Sequence, residues 1–194
     1  MLILASQSPR RAELLRNAGI SFEVSPADVD ESLRDGEDPL QYVKRLAKEK
    51  ALEVLKTAAQ GSLVLGADTT VVIDGESLGK PADADEARCM LQRLSGRMHQ
   101  VMTGVCVASR DSDGKVTAEV EAEVTDVEFT AITAEEIAAY VRSEEPMDKA
   151  GAYAIQGRAS RWIPGIRGCY FNVVGLPLAR VCTMLSRAEQ GKSA

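Results

Sequence analysis

"MLILASQSPRRAELLRNAGI", residues 1–20, is the stretch that points most directly to a fold. The apolar run 2–5 is typical of a short buried strand. Ser8 suits the N-cap of a helix, and Pro9 suits its first position. Apolar residues then recur at helical spacing until Gly19, a common helix stop. The stretch therefore predicts a strand, a tight turn and a helix, the opening of an α/β fold.

Two adjacent arginines, Arg10 and Arg11, fall in the first turn of this predicted helix. A helix N-terminus carries about half a positive charge, which makes cations there mildly unfavourable. A bound phosphate would remove the conflict, because backbone N–H groups, both guanidinium groups and the hydroxyls of Ser6 and Ser8 would converge on it. The alternative is that both arginines are solvated or paired with a surface carboxylate such as Glu13. This stretch alone leaves both interpretations open.

The composition of the 194 residues is that of an ordinary globular protein, with 45% hydrophobic and 27% charged residues. We expect one domain, with room for two lobes. A net charge of −6 and only 4% aromatic residues argue against a general nucleic-acid binder and against base-stacking platforms. A polyanion would therefore have to bind in a local basic pocket.

Cysteine and histidine are too sparse and too scattered for a structural zinc site. The four cysteines form no C-x-x-C pair, and His99 is the single histidine. We expect reduced, mostly buried thiols, as in a cytoplasmic protein, and a structural role for a lone histidine among strand residues. The sequence shows no signal-peptide pattern, and no apolar stretch approaches the roughly 20 residues of a membrane span.

Strand and helix patterns alternate in the first half of the chain. A strand in "ISFEV" (20–24) leads to an acidic loop and then to a long amphipathic helix, which Asp38 can cap and Gly61 closes. Residues 63–81, "LVLGADTTVVIDGESLGKP", predict a strand, a polar interruption, a second strand and an Asp-Gly hairpin turn. A third helix is predicted within "DADEARCMLQRLSGR" (83–97).

The second half is predicted to begin with two long strands joined by a tight turn at 111–114. A helix follows, with Thr133 as its cap and Glu136 in the capping-box position. Residues 148–175 are loop-rich with a late strand, and a terminal helix covers 176–190, after which we expect the last residues to fray. Helices mixed with hairpins predict the α/β class with a mixed sheet.

Asp68 is the clearest candidate for chemistry, because a carboxylate between two apolar runs is costly unless it is used or paired. The alternative is a turn-forming aspartate that bonds nearby backbone. Thr69 follows Asp68, and we expect this backbone to approach a ligand closely. Lys50 lies in a charge run on the long helix, and such a run is usually a solvated face. A lone lysine such as Lys80 is normally exposed.

Taken together, these segments resemble the Maf family over nearly the whole chain. The resemblance rests on the order and spacing of six stretches: "LASQSPRRAELL", "RLAKEKA", "LGADTTVVIDGESLGKP", "LSGRMHQVMTGV", "EPMDKAGAYAIQG" and "CYFNVVGLPL". It implies the elongated α/β fold of the inosine triphosphate pyrophosphatases, with a mixed β-sheet, flanking helices and two lobes around a cleft. It also implies a single domain over residues 1–194 and a divalent metal cofactor, Mg²⁺ or Mn²⁺.

The same resemblance assigns roles to individual residues. It implies that the substrate is bound by Ser6, Ser8, Arg10, Arg11, Lys50, Thr69, Lys80 and Gln156. Glu31 and Asp68 are expected to hold the metal, or Asp68 takes the proton of the attacking water. Gln7 departs from the glycine that is common between the two serines of the family motif.

Gln156, in "GAYAIQG", matches the glutamine of the family subgroup that hydrolyses dTTP and UTP. The resemblance therefore implies release of pyrophosphate from these nucleotides, or from modified pyrimidine nucleotides, as house-cleaning of nucleotide pools. One alternative is a 7-methyl-GTP-type pyrophosphatase. Another is a non-enzymatic nucleotide-binding protein or septum-formation inhibitor. We expect a nucleoside triphosphate as partner, no membrane and no stable nucleic-acid partner, and a homodimer is left open.

Overall fold

The computed structural model describes residues 1–190, in which strands and helices alternate. The strands are β1 (Leu2–Ala5), β2 (Glu23–Val24), β3 (Leu63–Ile73), β4 (Glu76–Leu78), β5 (Met98–Arg110), β6 (Val116–Glu128) and β7 (Gly165–Arg167). The α-helices are α1 (Pro9–Asn17), α2 (Pro39–Leu55), α3 (Ala84–Leu94), α4 (Ala134–Val141), α5 (Tyr170–Val174) and α6 (Leu178–Gln190). Three short 3₁₀ helices cover Glu145–Asp148, Ala150–Ala152 and Arg158–Trp162.

The seven described strands form one mixed sheet in the order β2-β1-β3-β5-β6-β7, with β4 paired to β3. β1 runs parallel to both β2 and β3, and its register with β3 extends from Leu2 opposite Leu63 to Ala5 opposite Gly66. β4 and β7 run antiparallel to β3 and β6. The prediction of an α/β fold with a mixed sheet is therefore confirmed.

The chain divides into two compact units. The first contains residues 1–68, 103–123 and the segment from Gly175 onward, and the second contains 69–102 and 124–174. Three strands, β3, β5 and β6, contribute residues to both units. Among the described helices, none has the length and apolar character needed to cross a bilayer.

In the first unit, α2 packs unusually close to the sheet because two strand glycines face it. A side chain at Gly66 of β3 would overlap the carbonyl oxygen of Ala47, and one at Gly104 of β5 would overlap the carbonyl of Val43. Asp68 follows Gly66 by two residues and so points from the same face of β3. The glycine contact therefore sets the distance at which α2 can reach Asp68.

The terminal helix α6 is attached to β6 by charged side chains. Arg180 bonds Glu121 and Glu123, and Arg187 bonds Glu119 and Glu121. The three glutamates alternate along the strand and therefore share one face. The predicted terminal helix is confirmed as α6, which begins at Leu178, and the predicted fraying of the last residues lies outside the described residues.

Several local signals in the sequence act as predicted. Asp38 caps α2 by accepting bonds from Leu40 N and Gln41 N at 2.8 and 3.3 Å. Thr133 and Glu136 form a complete capping box at α4. The Asp-Gly hairpin turn is also confirmed, with left-handed φ values of 55° at Asp74 and 80° at Gly75.

Two predicted boundaries are wrong. α2 ends at Leu55, not at Gly61, because Lys56 N and Thr57 N bond the carbonyls three residues back and tighten the chain out of the helix. The predicted polar interruption at Asp68 is absent, since β3 continues from Leu63 to Ile73. Strand pairing is a backbone property, so a polar side chain with a partner does not break it.

Residues 148–175 contain the short strand β7, and residues 170–174 form α5.

His99 lies in the core of the second unit, 2% exposed, and forms edge-to-face contacts with Phe129 and Tyr153. Its Nε2 is 2.7 Å from the Tyr153 hydroxyl. Burial lowers the pKa of His99 from 6.5 to about 4, so the ring is neutral near pH 7. The expectation of a structural role for this histidine agrees with these contacts.

Because the folded-state pKa of His99 lies below the unfolded value, protonation favours the unfolded chain. Its stabilisation is complete above pH 6.5 and is lost as the pH falls toward 4. We expect the free energy of unfolding to fall by about 2 kcal/mol more in the wild type than in His99→Gln between about pH 7 and about pH 4.5. Urea unfolding of both proteins at the two pH values measures this difference. An equal loss of unfolding free energy in both proteins would contradict the lowered pKa of His99. Since His99 is the single histidine, no other imidazole contributes.

Candidate active site

The carboxylate of Asp68 is buried in the middle of β3. Its Oδ1 accepts a hydrogen bond of 2.7 Å from Lys50 Nζ. The turn-forming role that the sequence left open for Asp68 is therefore wrong, because the residue is part of a continuous strand. The pairing with Lys50 offsets the cost of placing a carboxylate between apolar runs.

Lys50 lies on α2 and is 8% exposed, so the predicted solvated face does not include it. Its ammonium contacts Asp68 Oδ1 at 2.7 Å and Glu31 Oε1 at 2.6 Å. Lys48, two residues earlier, is exposed as predicted. The burial of Lys50 follows from helical geometry, since positions 47, 50 and 51 lie on the α2 face that packs against β3.

Glu31 comes from the acidic loop before α2, and two α2 side chains hold this loop. The Tyr42 hydroxyl donates to the Glu31 backbone carbonyl at 2.9 Å. Arg45 makes a bidentate ion pair with Glu37, at 2.6 and 2.7 Å, and donates to the Ser32 carbonyl at 3.0 Å. The loop is therefore fixed to the same helix that carries Lys50.

Sequence reasoning missed Tyr42 and Arg45. A usable signal was present for Tyr42, because residues eight apart on a helix share a face and Tyr42 precedes Lys50 by eight. No sequence signal indicated that the backbone carbonyls of Ala67 and Gly175 accept hydrogen bonds from Arg11.

Arg11 is buried and bonded to three oxygens of the first unit. Its Nε donates to Gly175 O at 2.9 Å, and its Nη1 donates to Ala67 O at 2.9 Å and to Ser6 Oγ at 3.1 Å. Solvation or pairing with Glu13, the alternative drawn from sequence, does not describe this arginine. The guanidinium instead fixes the start of α1 to the β3 backbone.

Ser8 and Arg10 lie beside this arginine at the start of α1. Ser8 occupies the predicted N-cap position, with Pro9 after it, but its side chain makes no capping bond. Its backbone N–H instead donates to Ser6 Oγ at 3.2 Å. Arg10 is half-buried on the first turn. The Ser6 hydroxyl therefore accepts from both Ser8 and Arg11 at the start of α1.

Burial is the largest influence on the pKa values of Asp68, Arg11 and Tyr42. Desolvation raises the pKa of Asp68 above its usual value although Lys50 and Arg11 both oppose the rise, and it lowers the pKa of Arg11. Burial, followed by the charges of Asp68 and Glu31, raises the pKa of Tyr42 to about 12. Tyr42 is therefore a neutral hydrogen-bond donor at physiological pH.

The two carboxylates around Lys50 fit a site for a divalent cation whose remaining ligands are phosphate oxygens of the substrate. Glu31 and Asp68 both direct a carboxylate oxygen at one ammonium, so the two carboxylates are close neighbours. Within residues 1–190, no group of three or more metal-ligating side chains occurs. Mg²⁺ is commonly bound through one or two carboxylates plus substrate phosphates. Glu31 and Asp68 therefore fit such a site better than a preformed metal cage.

The remaining candidate residues belong to the second unit. Thr69 is half-buried, and Lys80 and Gln156 are exposed. Gly79, next to Lys80, accepts a 3.0 Å bond from the N–H of Gly151. Of the candidates in the first unit, hydrogen bonds link Ser6 with Ser8 and Arg11, and ion pairs link Lys50 with Glu31 and Asp68.

Comparison with known proteins identifies the family of this chain and several proteins that are similar to it. A family model described as Maf-like protein matches residues 1–188. A dTTP/UTP pyrophosphatase of Koribacter versatilis is 54% identical over 187 residues, which cover 96% of this chain and 94% of that protein. Proteins of the same name from Symbiobacterium thermophilum and an Anaeromyxobacter species are 53% and 52% identical, over 96% of this chain and 93% and 89% of theirs.

Solved structures give a more distant likeness. A nucleoside-triphosphatase, or dITP/XTP pyrophosphatase, from Mycobacterium abscessus is 14% identical with a TM-score of 0.43, covering 97% of this chain and 94% of that one. The Staphylococcus aureus Ham1 protein is 15% identical with a TM-score of 0.46, covering 66% and 71%.

The Lys50–Asp68 pair should be essential for stability. Lys50→Met keeps the length of the side chain but leaves the buried Asp68 carboxylate without its ammonium, so we expect a loss of about 3–5 kcal/mol in the free energy of unfolding. The matched control, Lys48→Met on the exposed face of α2, should change it by less than about 0.5 kcal/mol. Urea unfolding at one pH measures both variants.

Adding Asp68→Asn to Lys50→Met removes the uncompensated charge and should restore part of the lost stability. Equal stability of Lys50→Met and Lys48→Met would show that the pair contributes little.

Proposed function

Since the chain belongs to the Maf family, we propose that it is a nucleoside triphosphate pyrophosphatase that converts dTTP and UTP to the monophosphate and pyrophosphate. The observation that carries the proposal is identity at about half of all positions, over nearly the whole chain, with relatives named dTTP/UTP pyrophosphatase. Removal of modified pyrimidine nucleotides from the nucleotide pool is the corresponding house-cleaning role.

In the proposed reaction, water attacks the α-phosphorus, the bond from this phosphorus to the bridging oxygen breaks, and pyrophosphate leaves. Asp68 accepts the proton of the attacking water or, as the alternative, binds the metal with Glu31, and its fixed position in β3 supports either role. Charge on the polyphosphate is balanced by cations, which catalyse by stabilising negative charge as it develops. These cations are Arg10, Arg11, Lys50 and Lys80, and the hydroxyls of Ser6 and Ser8 bind alongside them.

Glu31 and Asp68 would hold the divalent cation, Mg²⁺ or Mn²⁺, together with phosphate oxygens. When bound, such a cation neutralises phosphate charge and makes a coordinated water more acidic. Tyr42 supports this role from the protein side, because its bond to the Glu31 carbonyl limits the movement of the loop.

Gln156 is proposed to read the base, and Thr69 to bind the substrate beside Asp68. The amide of glutamine offers one donor and one acceptor. Uracil and thymine present a carbonyl acceptor and an N3–H donor side by side, which one amide can satisfy together. Cytosine has an acceptor at N3 and breaks this pairing.

We also propose a cytoplasmic enzyme with no nucleic-acid partner. Four free cysteines fit a reducing compartment, although only Cys106 is buried and the expectation of mostly buried thiols is wrong. A net charge of −6 is unfavourable for binding nucleic acid. Sedimentation of the purified protein would decide between a monomer and the homodimer that the sequence leaves open.

Asp68→Asn is nearly isosteric and should lower kcat for UTP by about 10²–10⁴-fold, because the proton acceptor is lost. Pyrophosphate release over a panel of dTTP, UTP, CTP, GTP and 7-methyl-GTP measures the wild type and the variant. The control is Asp74→Asn, which changes an exposed aspartate paired with Arg97 and should keep wild-type activity.

A wild type that prefers 7-methyl-GTP would support the other pyrophosphatase subgroup. Absence of turnover on every nucleotide, with or without metal, would favour the non-enzymatic alternative. Wild-type kcat in Asp68→Asn would remove Asp68 from the mechanism.

Gln156→Leu should lower kcat/KM for UTP at least about tenfold more than for CTP, since only the uracil edge loses its paired donor and acceptor. Gln60→Leu, an exposed glutamine of the first unit, is the control and should leave the UTP/CTP ratio unchanged. If Gln156 merely braces its loop, all nucleotides lose activity alike and the ratio stays constant.

A further inference from the structure

Gln156 lies in a tight turn whose two ends are held by the buried Tyr140 and the half-buried Glu145. The turn runs from Ala154 to Gly157 and is closed by a 3.2 Å bond from Gly157 N to Ala154 O. Gln156 is its third residue and is exposed. The direction of the Gln156 side chain therefore depends on how this turn is held.

Tyr140 and Glu145 hold the turn from the two sides of Gln156. The Tyr140 hydroxyl donates to Glu145 Oε1 at 3.0 Å and accepts a long bond of 3.4 Å from Ala154 N. The same Glu145 oxygen accepts a bond of 3.0 Å from Arg158 N. One hydrogen-bonded pair thus binds the backbone two residues before and two residues after Gln156.

This pair is itself rigidly supported. Tyr140 is 2% exposed and packs edge-to-face on Trp162, with ring centroids 5.2 Å apart. Lys149 Nζ donates to the backbone carbonyl of Glu145 at 2.6 Å. At Gly157 a side chain would overlap the Glu145 carboxylate where it now lies, so any larger residue there would require Glu145 to move. Burial and the charge of Glu145 raise the pKa of Tyr140, which keeps its hydroxyl protonated.

We propose that Tyr140 and Glu145 are positioning residues for base recognition, which set the selectivity of the enzyme by holding the turn that presents Gln156. The proposal rests on the proposed function, in which Gln156 reads the base. Hydrogen bonds weaken steeply outside a narrow range of distance and angle, so an amide can discriminate between bases only while its backbone is held. Neither residue needs to touch the nucleotide.

Tyr140→Phe is the direct test. It keeps the ring and its contact with Trp162 but removes both hydrogen bonds of the hydroxyl. We expect the UTP/CTP ratio of kcat/KM to fall by about tenfold, which is the discrimination that one hydrogen bond between Gln156 and uracil supplies. The loss should fall mainly on KM for UTP, because the phosphate-binding residues are unchanged. Glu145→Gln, which weakens the bond to Arg158 N, should lower the ratio in the same direction.

Glu136→Gln is the matched control. Glu136 accepts from Trp162 Nε1 at 3.3 Å and caps α4, so its loss perturbs the same unit without touching the turn. This variant should keep the wild-type UTP/CTP ratio. A control ratio that falls as far as that of Tyr140→Phe would overturn the proposal, because any destabilisation of the unit would then suffice.

A second-site test separates positioning from general damage. In a Gln156→Leu background, Tyr140→Phe should no longer change the UTP/CTP ratio, because the side chain that it positions is already gone. An unchanged ratio for both Tyr140→Phe and Glu145→Gln in the wild-type background would refute the proposal. A wild type with no preference for UTP would instead refute the proposed function, so the two failures are distinguishable.

Discussion

The first unit depends on the ion pairs that the buried ammonium of Lys50 makes with Asp68 and Glu31. Removing charges from water costs several kcal/mol per ion, and only close, well-directed partners repay it. The approach of α2 to β3 makes this possible, and Gly66 and Gly104 permit that approach. Residue size on the strands therefore determines whether the charge cluster can exist.

Helix α2 organises more of the site than any other element. Its cap at Asp38 fixes where it starts, and its buried face sets which residues reach the sheet. Tyr42 and Arg45 hold the acidic loop, and Lys50 joins that loop to β3. A single rigid helix thus coordinates residues from a loop and from a strand, which is the arrangement that functional groups need for precise placement.

The sequence predicted those features that depend on neighbours along the chain. The caps at Asp38 and Thr133 and the Asp-Gly hairpin are local chemistry, and each was correctly predicted. The burial of Lys50 and the continuity of β3 through Asp68 were missed, because each depends on a partner that is distant in sequence. Tyr42 was missed because an aromatic residue on an amphipathic helix is usually a packing residue.

Arg11 shows how a local conflict can be resolved by distant parts of the chain. A cation at a helix N-terminus is locally unfavourable, yet three oxygens accept from Arg11, and one of them, Gly175 O, lies 164 residues away. Backbone carbonyls therefore provide negative partial charge without a bound phosphate. The guanidinium is held in a fixed orientation, so a phosphate would meet a cation that needs no reorganisation, the condition under which electrostatic stabilisation is most effective.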